Sequence, residues 1–191
     1  ASALESDLLA ARLKGYDSRE LDLLLASGQV VWVGAGATAP RDGRVRLYLR
    51  DEMAALFVPM PRRPEGPLAD AIRQRLQERG PSFYSQIVAA TGGGFAPEVL
   101  EALWELVWAG EVTNDTLQPL RARLSPHRDR RLREARARGD RVLGRYRPLA
   151  GRGGLAPARP EPADAAGRWW LVETALGGAP PATDRLAAWA A

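Results

Sequence analysis

The stretch from Arg44 to Arg50 carries side chains that could meet a phosphate backbone. Arg44, Arg46, Tyr48 and Arg50 occupy every second position, and Val45, Leu47 and Leu49 fill the positions between them. A period of two is that of a β-strand, whose side chains alternate between faces. One face of such a strand is apolar. The other presents three guanidiniums and a phenol ring. Guanidiniums pair with phosphate oxygens whatever the bases, and an aromatic ring gives a base a surface to stack on. A plain solvated strand face accounts for the same pattern.

A second basic run begins at Arg121 and Arg123 and continues through Arg128, Arg130 and Arg131. Eleven arginines lie between residues 121 and 147, against Asp129, Glu134 and Asp140. Residues 1–120 hold 12 basic and 16 acidic side chains, net −4, whereas residues 121–191 hold 15 and 7, net +8. Such a positive tail favours an anionic partner, most often nucleic acid. Of the 27 basic residues all but Lys14 are arginine.

Other chemistries lack their residues. With no cysteine the chain has no disulfide, thiolate metal site or thiol nucleophile. His127 is the only histidine and sits within the arginine run, where nothing fixes it for a Ser-His-Asp triad. Glu98, Glu101 and Glu105 share a helix face, but without histidine they read as a solvated face rather than a metal site. No phosphate-binding G-x-x-x-x-G-K-[ST] occurs. "GAGAT" at 34–38 follows a strand but has no lysine and precedes no helix, so it reads as a hairpin loop. No metal or cofactor is expected within this chain. No apolar run approaches the ~20 residues of a membrane span, and no signal peptide opens the sequence. A cytoplasmic protein without a membrane partner is expected. "TDRLAAWAA" at the end reads as a helix still running, as in a piece of a longer protein.

The positioning elements follow from spacing. Ser18, or alternatively Asp17, caps a helix with Leu21, Leu24 and Leu25 as its stripe. Ser27-Gly28 ends it and "QVVWV" is a strand, which should form a hairpin with the strand at 44–50. "VPMPRRPEGP" is a linker by its prolines. Three helices follow: "PLADAIRQRLQERG", then "SFYSQIVAATG", then "APEVLEALWELVWAG". In the third, Leu100, Leu103, Trp104, Val107 and Trp108 make one buried stripe. Val112 and Thr113 start a short strand. Three helices and a strand in about 50 residues is the order of a winged helix. "LLASGQVVW" and "LVWAGEVTN" share an order of helix, glycine and strand, a weak internal repeat.

A winged helix needs a return strand. "TLQPLRARLSP" has two prolines and no alternation, so the return is expected from "GRWWLVE". This predicts that Val112–Asn114 pairs antiparallel with part of Arg168–Val172 across about 50 residues, and that Trp104 or Trp108 meets Trp169 or Trp170. The resulting fold class is α+β with tandem winged-helix modules. Its divisions are a helix-plus-hairpin module at 1–58, a linker at 59–66, a winged helix at 67–124, an Arg/Pro/Gly-rich insertion at 125–166, and the return strand with a further helix at 167–191.

"ELDLLLASGQVVWVGAG", "DGRVRLYLRD", "LWELVWAGEVTNDTLQPLRA" and "GRWWLVE" resemble the C-terminal region of bacterial large helicase-related (Lhr) proteins, which are ATP-dependent DNA helicases linked to repair. The likeness covers roughly residues 12–124 and 167–191; residues 125–166 match no pattern. It is similar as well to winged-helix DNA glycosylases. The resemblance implies an accessory segment beyond a motor that itself uses ATP and Mg. It implies DNA as partner, single-stranded or forked, together with other domains of the parent chain, and leaves self-association open. Sequence-independent contact by Arg44, Arg46, Tyr48, Arg50, Arg121, Arg123, Arg128, Arg130 and Arg131 is the leading expectation. A glycosylase-type module, with Asp17, Asp51 or Asp115 as the carboxylate that positions water at a flipped nucleotide, and a protein-docking platform are the alternatives. The acidic outer face of the third helix argues against base reading by that helix.

Overall fold

The computed structural model describes residues 1–61, 63–125 and 161–177, which form an α+β structure. Helical turns at Leu4–Leu9 and Ala10–Arg12 lead into α1 (Ser18–Ala26), β1 (Val30–Ala39), β2 (Asp42–Leu49) and α2 (Arg50–Leu56). Next come α3 (Pro67–Arg79), β3 (Ser82–Phe83), α4 (Tyr84–Ala90), α5 (Ala96–Trp108) and β4 (Val112–Asn114). The remaining elements are α6 (Gln118–Leu124), a 3-10 turn at Ala163–Ala165, β5 (Arg168–Leu171) and α7 (Glu173–Leu176). No helix among the described residues is long and apolar enough to cross a membrane.

Local chemistry sets these boundaries. Asp17, rather than Ser18, caps α1: its carboxylate accepts the Arg19 backbone N–H at 2.9 Å. Leu21 and Leu25, one turn apart, are the buried face. The repeated "helix, glycine, strand" wording has a structural counterpart. Gly28 (φ 74°) and Gly110 (φ 73°) each follow a helix in the left-handed region. The next N–H reaches back five residues in both cases, Gln29 to Leu24 and Glu111 to Leu106, each at 3.0 Å. This is the Schellman stop, which satisfies the last carbonyls and turns the chain into a strand.

The order α3, β3, α4, α5, β4, β5 is a winged helix, and its sheet runs β3-β5-β4. Val112 pairs with Leu171, Thr113 with Trp170 and Asn114 with Trp169, all antiparallel, so the return strand does arrive across the long insertion. Two local expectations need correcting. Ser82 and Phe83 are not the start of a helix. They are extended, pair with Trp169 and Arg168, and lead into α4 through the Gln86 side chain, whose Oε1 accepts the Phe83 N–H at 3.0 Å. "GAGAT" is not a hairpin loop but the bulged second half of β1, which pairs with β2 as far as Ala39–Asp42.

The tryptophans of α5 are core, with Trp104 1% and Trp108 7% exposed. Trp104 lies 5.4 Å from Trp108 and 5.7 Å edge-to-face from Trp169. Each such ring buries ~150–250 Å², which at ~25 cal/mol per Å² is about 4–6 kcal/mol of transfer free energy. The same core takes in Leu21, Leu25 and Trp32, so residues on both sides of the proline linker share one interior. Close approach makes this work. A Cβ on Gly34 would overlap the Val107 carbonyl oxygen, and one on Gly43 would lie 2.6 Å from Trp108 Cε3. Thr113 Oγ1 donates to the Trp32 carbonyl, and Trp32 Nε1 donates to the Thr116 carbonyl at 3.1 Å.

Candidate nucleic-acid interface

The hairpin presents Arg44 and Arg46 as alternation requires, whereas β2 ends at Leu49 and Arg50 opens α2 instead of extending the strand. Arg44, Arg46 and Arg50 are exposed, and none of the three is in an ion pair among the described residues. Tyr48, on the same strand face, is only 7% exposed. It packs in a second small core with Val31, Val33, Met53 and Val172, and Phe57 meets its ring edge-on at 6.2 Å. The helix α2 and the residue after it fold back over this end of the strand. Tyr48 therefore offers no free ring to a base, and the expectation of stacking there is corrected by its burial. The opposite face behaves as expected at Val45 and Leu47, which pack against the main core, but Leu49 is 56% exposed.

Arg121 and Arg123 are both engaged in ion pairs within the protein, Arg121 at a partly exposed position and Arg123 in the interior. Arg121 is gripped by Glu5 (Nε–Oε2 2.6 Å) and Asp22 (Nη1–Oδ2 2.7 Å), and Tyr16 donates to the same Glu5 at 2.6 Å. Arg123 is 2% exposed. It donates to Glu101 at 2.7 Å, reaches Asp164 at 3.5 Å, and lies 5.3 Å over the Trp104 ring. The Arg123 guanidinium, so enclosed, cannot also bind an external phosphate, and that of Arg121 is already held by two carboxylates. These two arginines join remote segments instead. Arg128, Arg130 and Arg131 lie outside the described residues.

On α5, Glu98, Glu101 and Glu105 are exposed. The hydrogen bonds from Arg123 hold the Glu101 carboxyl below its ordinary value, against a smaller opposing effect of burial, so it is charged. Arg123 neutralises Glu101, so the acidic character of the outer face of the third helix rests on Glu98 and Glu105, which are exposed and without an ion pair among the described residues, and the basic surface lies on the hairpin. Asp17 and Asp115 are paired with Arg19 and Arg168, and Asp51 is exposed in the first turn of α2. No group of three His, Asp or Glu side chains among the described residues could hold a metal ion. Nor can the Gly34–Thr38 strand cradle a triphosphate, since its backbone is occupied by β2 and by the end of α5.

One feature of the surface escaped sequence reasoning. The Arg50 guanidinium sits 5.7 Å over the ring of Trp170, which is half-buried. The signal was present: once Trp169 is assigned to the core, alternation places Trp170 on the opposite face of the same strand.

Comparison with known proteins agrees with this architecture. Residues 1–50 match the model of the large helicase-related protein winged-helix domain. A Mycolicibacterium smegmatis protein described as an Lhr helicase and probable uracil glycosylase is 40% identical over 126 residues, 65% of this chain and 8% of that protein. An Escherichia coli Lhr helicase/uracil glycosylase is 36% identical over 151 residues, 71% of this chain and 10% of that protein. The chain spans a tenth or less of the curated relatives it matches.

Proposed function

We propose, for a chain that belongs to the large helicase-related family through its winged-helix region, that it is an accessory, sequence-independent DNA-binding segment of an ATP-dependent helicase acting in DNA repair. The observation that carries this reading is the exposed basic face of the hairpin, Arg44 and Arg46, beside an acidic α5 that phosphate would avoid. Guanidiniums on an exposed strand face follow the phosphate backbone without reading bases. The motor chemistry, with ATP and Mg, belongs to the rest of the parent protein in this reading, and the segment works in the cytoplasm.

The test is a salt titration of DNA affinity with Arg44→Ala/Arg46→Ala. Each lost phosphate contact lowers the slope of log K against log salt by ~0.9 on duplex and ~0.7 on single strands. The double variant should bind more weakly to all sequences alike, with its slope reduced by ~1.4–1.8. An unchanged slope would remove the hairpin from the interface. A second reading rests on the two relatives, one described as a helicase and probable uracil glycosylase and the other as a helicase/uracil glycosylase. A base-release assay on uracil-containing DNA, with the chain alone, tests whether this segment carries such activity.

A further inference from the structure

The helix α5 has a second stripe, on the side away from the core. Phe95, at its N-cap, is followed by Glu98, Ala102, Glu105 and Ala109. Intervals of three and four residues place all five on one face, the spacing of a helix–helix seam. Phe95, Glu98 and Glu105 are exposed, and the two alanines are half-buried. A groove of about 440 Å³ runs beside this stripe, between α5 and the start of α3. Half-buried Leu68 and Ala102 and exposed Glu65, Glu98 and Glu105 line it. Glu65 and Glu105 also border a wider groove of about 1110 Å³, lined by Met60, Trp108 and Ala109. The two grooves make one trough along the helix.

The chemistry of the trough specifies its occupant. Phe95 is 68% exposed. A Cβ on Gly94, the residue before it, would lie 4.0 Å from Leu68 Cδ2, so the ring stands at one end of the groove. An exposed ring beside an apolar groove suits an apolar side chain of a partner. Glu65, Glu98 and Glu105 have no ion pair among the described residues. Their edge repels phosphate and attracts cations. The same helix already takes one arginine from outside itself: Glu101 accepts two hydrogen bonds from the Arg123 guanidinium. Ala102 and Ala109 are small enough to let a second backbone come close. We infer that the trough is a docking site for a basic amphipathic helix of a partner protein. Glu98 and Glu105 are seven residues apart, about 10.5 Å along the axis, so they meet arginines seven residues apart on the incoming helix. Its apolar side chains lie against Phe95, Leu68 and Ala102, as in other helix-in-groove complexes. Arginine suits the carboxylates better than lysine because its planar fork pairs with both oxygens. The site lies on α5 and does not depend on the DNA-binding reading of the hairpin.

The experiment uses the whole chain and a fluorescein-labelled helical peptide of alanine, leucine and arginine, with arginines recurring every seven residues, followed by anisotropy across a salt series. A peptide of the same composition in scrambled order is the control and should bind more weakly. Phe95→Ser should lower affinity by roughly three- to ten-fold at every salt concentration, since it removes a partly covered ring. Serine is a favoured N-cap, so this variant keeps α5 intact. Glu98→Gln/Glu105→Gln should lower affinity by roughly three- to thirty-fold at low salt, and this loss should fade as salt screens the exposed pairs. Neither variant should move the melting temperature of the free chain by more than a degree or two. Unchanged peptide affinity in both variants overturns the docking site. Equal binding of the scrambled peptide overturns it as well, because the attraction is then charge without geometry. Peptide binding that is seen only in Arg128→Gln/Arg130→Gln/Arg131→Gln assigns the trough to the chain's own arginine run and overturns the partner. A dimer in sedimentation that dissociates in Phe95→Ser assigns it to a second copy, with the same consequence.

Discussion

Arg123 gives the sharpest test of whether a basic residue in this chain serves the fold or the DNA. Replacing it with alanine removes a side chain that is 2% exposed, two contacts to Glu101, one to Asp164, and a cation over Trp104. Removing one member of a fully buried ion pair costs about 3–5 kcal/mol, because its partner is left charged and dry. Here the partners differ. Glu101 is 59% exposed and regains water when Arg123 is gone, so its share falls toward that of a surface pair. Asp164 is 13% exposed and does not, but it keeps Arg41 at 3.4 Å as a second partner, which places the cost below that of a fully orphaned carboxylate. Loss of the arginine stem and of the cation over the ring adds ~0.5–2 kcal/mol. The expected net loss is about 2–4 kcal/mol, or ~5–15 °C in melting temperature for a domain of this size. Urea denaturation followed by tryptophan fluorescence measures it. Glu101→Gln should cost under ~1 kcal/mol by the same reasoning. The salt slope of DNA binding should be untouched in both variants. A loss below ~0.5 kcal/mol for Arg123→Ala, with a flattened salt slope, would refute the internal role and return Arg123 to the interface.

Gly34→Ala should be more harmful than Gly28→Ala. The first drives a methyl into the Val107 carbonyl, at a cost of ~1–3 kcal/mol or more, while the second meets no atom within 4 Å and bears only the ~1 kcal/mol of a left-handed backbone; equal melting shifts would contradict the close approach of β1 to α5. Stability should also fall in acid. The carboxyls of Glu101, Glu5 and Glu111 lie below the ordinary value of 4.5 in the folded chain. At Glu101 the hydrogen bonds from Arg123 do this; at Glu5 and Glu111 burial opposes it and is outweighed by Arg121 with Tyr16, and by Arg73 with Arg63. The unfolded chain binds protons first, so this contribution is complete above the ordinary carboxyl value and is lost as pH falls through it and below. Urea midpoints measured from about pH 7 to pH 3 should decline most near and below that value, and a flat profile would show that these pairs do not stabilise the fold.

Hydrophobic spacing made the core legible. Five apolar positions on α5 were enough to bury Trp104 and Trp108, and alternation in "GRWWLVE" was enough to find the partner of β4. What spacing could not show was which polar faces stay open. The run 44–50 reads as one basic face, yet Met53 and Phe57, a few residues later, come back over Tyr48. Arg121 lies 116 residues from Glu5, and no local pattern announces a pairing at that separation. Ser82–Phe83 is too short for any period to register, and it is extended only because β5 offers it an edge.

The insertion within the wing follows from the same division between fixed and open surface. Its exit and re-entry are held together at several points. Asp115 accepts the Arg168 backbone N–H and Nε, each at 2.9 Å, and its own N–H donates to the Arg168 carbonyl at 3.2 Å. Asn114 Nδ2 donates to the Ala166 carbonyl, and Trp104 Nε1 to the Asp164 carbonyl, both at 3.0 Å. With these ends fixed against the core, each doubling of the chain between them adds only about 0.6 kcal/mol of closure entropy. A wing tip is therefore a place where sequence can be added without disturbing the tryptophan core.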